Sequence, residues 1–435
     1  YALAAGAQSG DSKRGLLTAI ALRTTLLTAG LQLDVGSFAE APEHVRQKAE
    51  EIQKTYRSKA QSVVSRTASD VETRDALRAE LKDLRHELRH LYLRNTKNRL
   101  LLPETLDDLS GTIPPDGALL FVTSSRDHGY LYCLAKKDGT VRLNVSVVPD
   151  LKESSVETAI NDGWILAHRK FVQTIATLSA NALHPASVEQ HDQAWENADK
   201  ALRLLIDWCQ TVVAPQIGSI IEDLGLSHVV LCPFGLLQYA PIHATIDNAL
   251  VTYAPSPALS RRYDPPQTAP LLSILNPKIR DPSTGTLMDD PALLLSNGHS
   301  IGDIERDALR EIVGVDAHFL EGVQARTSTL RARIQSLSGR PFDLLFSTHG
   351  RANPRYAYQS ALMMTPEDGH SDSLNAAQIA DLPLEDVSSV FMIACESGMI
   401  TGALPEESRS LVTAFLEAGA KSVVSALWSV PVMSA

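Results

Sequence analysis

The sequence predicts an α/β protein whose doubly wound, mostly parallel sheet is preceded by an α-helical region. Three observations carry that prediction. Residues 11–102 follow helical spacing, with Leu77, Leu81, Leu84, Leu88 and Leu91 in a 4-3-4-3 seam that must bury against another helix. Short β-prone runs separated by turn residues begin at Ala118. The last third alternates apolar strand runs with helical patterns, as a parallel sheet covered on both faces requires. At 435 residues the chain is long enough for two or three domains.

The elements follow in order. Glu43–Arg99 carries 14 Lys and Arg against 9 Asp and Glu, so the outward faces of its helices are charged and mildly basic. The leucine seam is too short for an extended coiled coil, and no repeat occurs at the periods of helical arrays. Asp107–Gly117, with Gly111, Pro114, Pro115 and Gly117, reads as a linker, which bounds the helical region at 1–104. Ala118–Ser124, Gly129–Ala135 and Val141–Val148 read as strands, the last two joined by a Lys137-Asp138-Gly139 turn. Helices are expected over about 156–183 and 194–222. A second strand–turn unit comprises His228–Cys232, Pro233-Phe234-Gly235 and Gln238–His243, followed by a proline-rich connector, Pro255–Pro270. Leu271–Leu275, Phe342–Ser347, Ser389–Ala394 and Ser422–Leu427 are then strands. Asp303–Val313, Ala376–Ala380 and Glu407–Ala418, closed by Gly419, are helices.

Composition narrows the function. Hydrophobic content of 44% and charged content of 21% exclude wholesale disorder. A net charge of −11 argues against direct nucleic-acid binding, which needs a cationic footprint. No apolar run reaches the roughly 18 residues of a membrane span. Gly15–Leu22, closed by Arg23, reads as a helix face rather than an export signal. Cys133, Cys209, Cys232 and Cys395 form no CxxC pair and no disulfide framework, so a reducing, cytoplasmic compartment is expected. The chain opens on Tyr1, so it is expected to be part of a longer protein.

Ligands of open parallel sheets bind outside the carboxyl ends of the strands, so chemistry is sought there. Three constellations compete. His86-Glu87-Leu88-Arg89-His90 satisfies H-E-x-x-H, but Arg85 and Arg89 are poor neighbours for a cation and Leu88 belongs to the buried seam. A solvated helix face explains it better. Gly298-His299-Ser300-Ile301-Gly302 matches the G-x-S-x-G elbow of serine hydrolases. Its competing reading is a helix N-cap in which Ser300 or Asp303 starts the next helix. The third pair is His349, just past the strand Phe342–Ser347, and Cys395, just past Ser389–Ala394. They stand 46 positions apart at the ends of strands in one sheet, the order and spacing of a caspase-type arrangement. An unperturbed thiol is only fractionally ionised at neutral pH, so a cysteine nucleophile needs an imidazole to take its proton and later protonate the leaving amine. Gly350 allows close backbone approach, and the Gly350 and Cys395 amides are candidate oxyanion donors.

With these residues the chain resembles the CHAT family, caspase-like domains often associated with TPR helices, over roughly Thr105–Ala435. The resemblance runs through Leu231–Ala244 (LCPFGLLQYAPIHA), Thr252–Leu259, Phe342–Gly350, Ser360-Ala361-Leu362, Leu374–Ile379, Val390–Gly398 and Ser410–Val430. It implies a cysteine endopeptidase of the caspase and separase group with His349 and Cys395 as its dyad. It also implies a first, inactive caspase-like half at 105–265 and a catalytic half at 266–435. No cofactor or metal is expected, and the substrate is a protein. By the same analogy the helical region 1–104, which lacks TPR signatures, regulates the peptidase and receives an activating protein partner, often within bacterial antiviral defence. The insertion Asp281–His299 lengthens the catalytic half. The alternative to an active enzyme is a silent interaction scaffold.

Specificity reads less clearly. From Tyr356 to Ser408 there are nine acids and no Lys or Arg, which predicts a preference for basic substrate residues. Ser360, Glu367, Asp368 and Asp372 are the substrate-binding candidates. Arg351 and Arg355 beside His349 argue the opposite way. Ile393, two before the nucleophile, matches neither the Gln of caspases nor the Asp of metacaspases.

Overall fold

The computed structural model describes residues 3, 6–7, 10–20, 43–48, 50–52, 54–55, 105–137, 139–180, 185–257, 269–281, 283–291, 300–353, 359–367, 373–399 and 410–428. It divides into two compact units, Ala21–Pro103 and a larger one formed by Tyr1–Ile20 with Glu104–Ala435. The described residues of the smaller unit are helical, with Val45 and Ile52 buried. The leucine seam and the H-E-x-x-H segment lie outside the described residues.

The larger unit contains two five-stranded sheets. The first is built on β1 (Gly117–Ser124), whose sequence GALLFVTS is almost wholly buried because it lies inside the sheet with both faces covered. β2 (Gly129–Lys137) pairs antiparallel with β1, and β3 (Thr140–Val148) pairs antiparallel with β2. On the other side β4 (His228–Pro233) and β5 (Leu250–Tyr253) add parallel strands. One face is covered by α1 (Leu166–Ala180), α2 (Pro185–Val212) and α3 (Ala214–Leu224). The other receives the N-terminal residues Leu16, Ala19 and Ile20, packed with Leu119, Phe121 and Tyr132. A π-helical stretch, Glu157–Ile165, leads into α1. Such stretches are rare and sit mostly at functional positions.

Two expectations are corrected here. Gln238–His243 is not a strand. Gly235–Tyr239 and Ile242–Thr245 are 3-10 turns, and the partner of β4 comes later, at β5. Pro241 lies between those turns, and a proline cannot donate to a strand ladder. The long helical pattern to 222 is broken at Val213, where Pro215 opens α3.

The second sheet is parallel throughout. Its order is β15-β14-β10-β6-β9, with β6 at Leu271–Pro277, β9 at Ala317–Gly322, β10 at Phe342–Ser347, β14 at Val387–Ile393 and β15 at Ser422–Ser425. The interior strand β6 is buried at every position, as a strand covered on both faces must be. Numbered by chain order the strands run 2-1-3-4-5, which puts the topological switch between β6 and β10. α4 (Ile301–Val313), α5 (Thr327–Leu337) and α6 (Ala376–Ala380) precede β9, β10 and β14 respectively, and α7 (Leu411–Glu417) precedes β15. Leu344, Phe346, Val390 and Phe415 centre a core separate from that of the first sheet. A hairpin of β7 (Ile279–Arg280) and β8 (Leu287–Met288) follows β6. β11 (Gly350–Arg351), β12 (Ala361–Met363) and β13 (Ser373–Asn375) form a small antiparallel sheet after β10.

An aromatic contact links the two sheets. Trp428, just after β15, stands edge-on to Trp164 at 5.2 Å between centroids and packs against the first core. No single helix among the described residues is long and apolar enough to cross a membrane. The bent pair Val188–Val212 and Ala214–Leu224 meets length and composition limits together, and it buries Leu205, Cys209, Ile217 and Ile221 in the first core.

Candidate active site

β10 and β14 run side by side with Ser347 opposite Ile393. Two residues further along each strand stand His349 and Cys395. Equal overhang from paired parallel strands brings both side chains to the same rim of the sheet, at the carboxyl end that the fold reserves for ligands. The backbones touch there: a Cβ added to Gly350 would lie 2.2 Å from the Cys395 carbonyl oxygen and 3.2 Å from the Ala394 Cβ. Only glycine permits this approach. Cys395 is partly exposed, whereas Cys133, Cys209 and Cys232 are buried. Burial pushes the thiols of Cys133 and Cys209 up to about 12, so they are core fillers.

The turn that carries Cys395 is tightly held. Glu396 adopts φ +56°, a left-handed conformation rare outside glycine, which costs on the order of 1–3 kcal/mol and tends to collect at active sites. Backbone donors hold it there: Glu396 N–H donates to the Trp428 carbonyl at 3.4 Å and Gly398 N–H to the Ala426 carbonyl at 2.7 Å. A side chain at Gly398 would meet the Ala426 carbonyl at 2.9 Å. Glu396 accepts a hydrogen bond from Ala352 N–H at 3.2 Å, tying the turn to the loop that carries His349. His168, on α1, is 4% exposed; burial pushes its imidazole down, and the nearby Glu396 opposes that.

The histidine loop is braced from the small sheet. Thr348 Oγ1 donates to the Met363 carbonyl at 2.7 Å, and Met363 N–H donates to the His349 carbonyl at 2.8 Å. His349 Nε2 lies 3.1 Å from Asp290 Oδ2, which arrives from the β7–β8 hairpin. Sequence reasoning missed Asp290. The insertion at 281–299 was legible as extra chain, but no motif marks one acid in Asp289-Asp290 as the partner of a histidine 59 positions on. Glu305, from α4, is pushed up by burial while a hydrogen bond with Ser347, the last residue of β10, opposes that.

The remaining sequence candidates are placed as follows. Ser360 is 2% exposed and its hydroxyl accepts from Asn353 N–H at 3.0 Å, so it shapes the His349 loop. The Glu367 carboxylate accepts from Ser328 N–H at 2.9 Å, at the start of α5. Asp368 and Asp372 lie outside the described residues. Glu385 and Asp386 precede β14, at the end of the strand opposite to Cys395, and Asp386 accepts from Gly339 N–H there. The acidic run is therefore not one cleft lining. Among the described residues no cluster of three or more His, Cys, Asp or Glu is placed to hold a metal ion.

Ser300 is not a nucleophile. It is 5% exposed and is the N-cap of α4, accepting from Asp303 N–H at 3.0 Å while the Asp303 side chain accepts from Ser300 N–H at 3.0 Å. This reciprocal capping box accounts for the serine and the acid three residues later. Ser300→Ala is expected to cost about 1 kcal/mol in thermal or denaturant unfolding and to leave Cys395 chemistry intact. Loss of activity with unchanged stability would restore the hydrolase reading.

Three comparisons with known proteins bear on this site. A solved structure of the Saccharomyces cerevisiae separase–securin complex is similar at a TM-score of 0.44 and 10% identity, over 83% of this chain and 31% of that one. The chain thus spans about a third of the separase chain it matches. No curated protein matches the sequence. The family model of the CHAT domain matches residues 199–435, which includes β4, both dyad candidates and all of the parallel sheet. Over more than half of its length, and through the segment that sets His349 beside Cys395, the chain belongs to the CHAT-domain family.

Proposed function

We propose that this protein is a cysteine endopeptidase in which Cys395 is the nucleophile and His349 the general base and acid. The observation that supports this most is the Gly350–Cys395 backbone contact, which fixes the two strand ends side by side. In the reaction His349 takes the Cys395 thiol proton and the sulfur attacks the substrate carbonyl carbon. The oxyanion is met by the Gly350 and Cys395 amides, each such donor being worth about 2.7–4 kcal/mol. Collapse expels the amine, which leaves with the proton held by His349. Water then hydrolyses the thioester, giving one proton to His349 and returning the thiol.

The substrate is a protein. Ile393 stands two residues before Cys395 and is 47% exposed, so an apolar surface flanks the nucleophile. This counts against a uniformly acidic subsite and leaves the preferred residue to be read by cleavage. The family analogy adds a regulatory helical N-terminal region, an activating protein partner and a cytoplasmic role in bacterial defence. The test is identification of new protein N-termini in cells expressing wild type or Cys395→Ala. Cleavages confined to the wild type are expected, and the flanking residues report specificity. Identical N-termini in both would leave only a silent scaffold.

A further inference from the structure

We propose that Asp290, delivered by the β7–β8 hairpin, is a positioning residue that fixes the ring orientation and tautomer of His349; this rests on the dyad reading above. The hairpin is tied at its turn and at its base. Its turn is closed by Asp281, which accepts from Ser283 N–H at 2.7 Å and Thr284 N–H at 3.2 Å. Its base is pinned where Lys278 N–H donates to Thr365 Oγ1 at 2.8 Å, and Lys278 also pairs with Asp289. The adjacent Asp290 is 8% exposed, and its Oδ2 lies 3.1 Å from His349 Nε2. The His349 side chain is 39% exposed, so the imidazole is held at the carboxylate without being sealed from solvent.

A carboxylate on one ring nitrogen places the hydrogen there and leaves the other as the base. Asp290 therefore keeps the hydrogen on Nε2, makes Nδ1 the proton-accepting atom and stabilises the imidazolium formed when Cys395 gives up its proton. The hairpin leaves β6 and the histidine leaves β10, so the contact spans the topological switch of the sheet. This assigns the extra chain at 281–290 a role in the chemistry. Other charged groups on the surrounding elements are Arg351 on β11, Glu396 after β14 and Glu305 on α4. Glu396 is hydrogen-bonded to Ala352 N–H and Glu305 to Ser347.

The test uses the full chain and needs no known substrate. The rate of Cys395 alkylation by iodoacetamide is followed against pH for wild type, His349→Ala, Asp290→Asn and Asp290→Glu, with ring titration of His349 by NMR alongside. Asp290→Asn keeps size and polarity, so folding is retained and verified by unfolding. Its alkylation at neutral pH is expected to fall about tenfold, and the His349 ring signals to lose the preference for hydrogen on Nε2. Asp290→Glu is expected to recover part of the rate, which a merely structural role would not produce. Profiles of Asp290→Asn and wild type that coincide, while His349→Ala differs, would overturn the positioning role alone. Coincidence of His349→Ala with wild type would remove the dyad, and Asp290's role with it.

Discussion

Cys395→Ala is expected to lower peptide-bond cleavage by on the order of 10⁴-fold or more, and His349→Ala by a similar factor. The double variant should lose little beyond either single one, because groups acting as a unit are not additive. Neither change touches the core: Cys395 is partly exposed and the His349 side chain 39% exposed, so unfolding should be nearly unchanged. No other thiol can stand in. Cys133, Cys209 and Cys232 are each 1% exposed or less, and all three lie in the first half. Turnover of a fluorogenic peptide library by wild type and variants checks this directly. Wild-type turnover by Cys395→Ala would end the cysteine-peptidase reading.

Gly350→Ala should be nearly as damaging, for a different reason. The new methyl would lie 2.2 Å from a backbone oxygen, which no rotamer change relieves. Either β11 must shift away from Cys395 or the nucleophile turn must move, and overpacking of this kind costs about 1–3 kcal/mol. The turn already holds Glu396 at φ +56° and is secured by carbonyls of Ala426 and Trp428, so it has little freedom to yield. The expected result is a lower unfolding midpoint together with loss of the enhanced Cys395 alkylation rate. A Gly350→Ala protein with wild-type alkylation and stability would show that the close approach is dispensable.

Much of the parallel sheet was legible because fully buried strands are written as continuous apolar runs. LLSIL at 271–275 and FDLLFS at 342–347 have no competing pattern, and the structure places them as expected. β9 was missed. Its sequence, AHFLEG, is half-exposed and mixed in character, and its pairing with β6 is a tertiary fact. The strand assignment at Gln238–His243 went astray because an apolar run interrupted by Pro241 serves 3-10 turns as well. The placement of His349 and Cys395 at one rim was visible because each follows a strand that announces itself. Asp290 was not: its partner is set by the course of a hairpin, and local composition carries no record of that. The acidic run is dispersed for the same reason, since linear proximity of Glu385 and Asp386 to Cys395 becomes separation by the length of β14.

The Trp164–Trp428 contact makes the first sheet answerable for the sheet that carries His349 and Cys395. The Trp428 carbonyl receives the Glu396 N–H, one residue from the sulfur, while its indole leans on the π-helical stretch of the other half. A scan of inactivating substitutions should therefore recover Trp164 together with the chemical residues, although 231 positions of sequence lie between it and Cys395. Heredity would then register the first sheet as an organ of the reaction rather than as inert scaffolding.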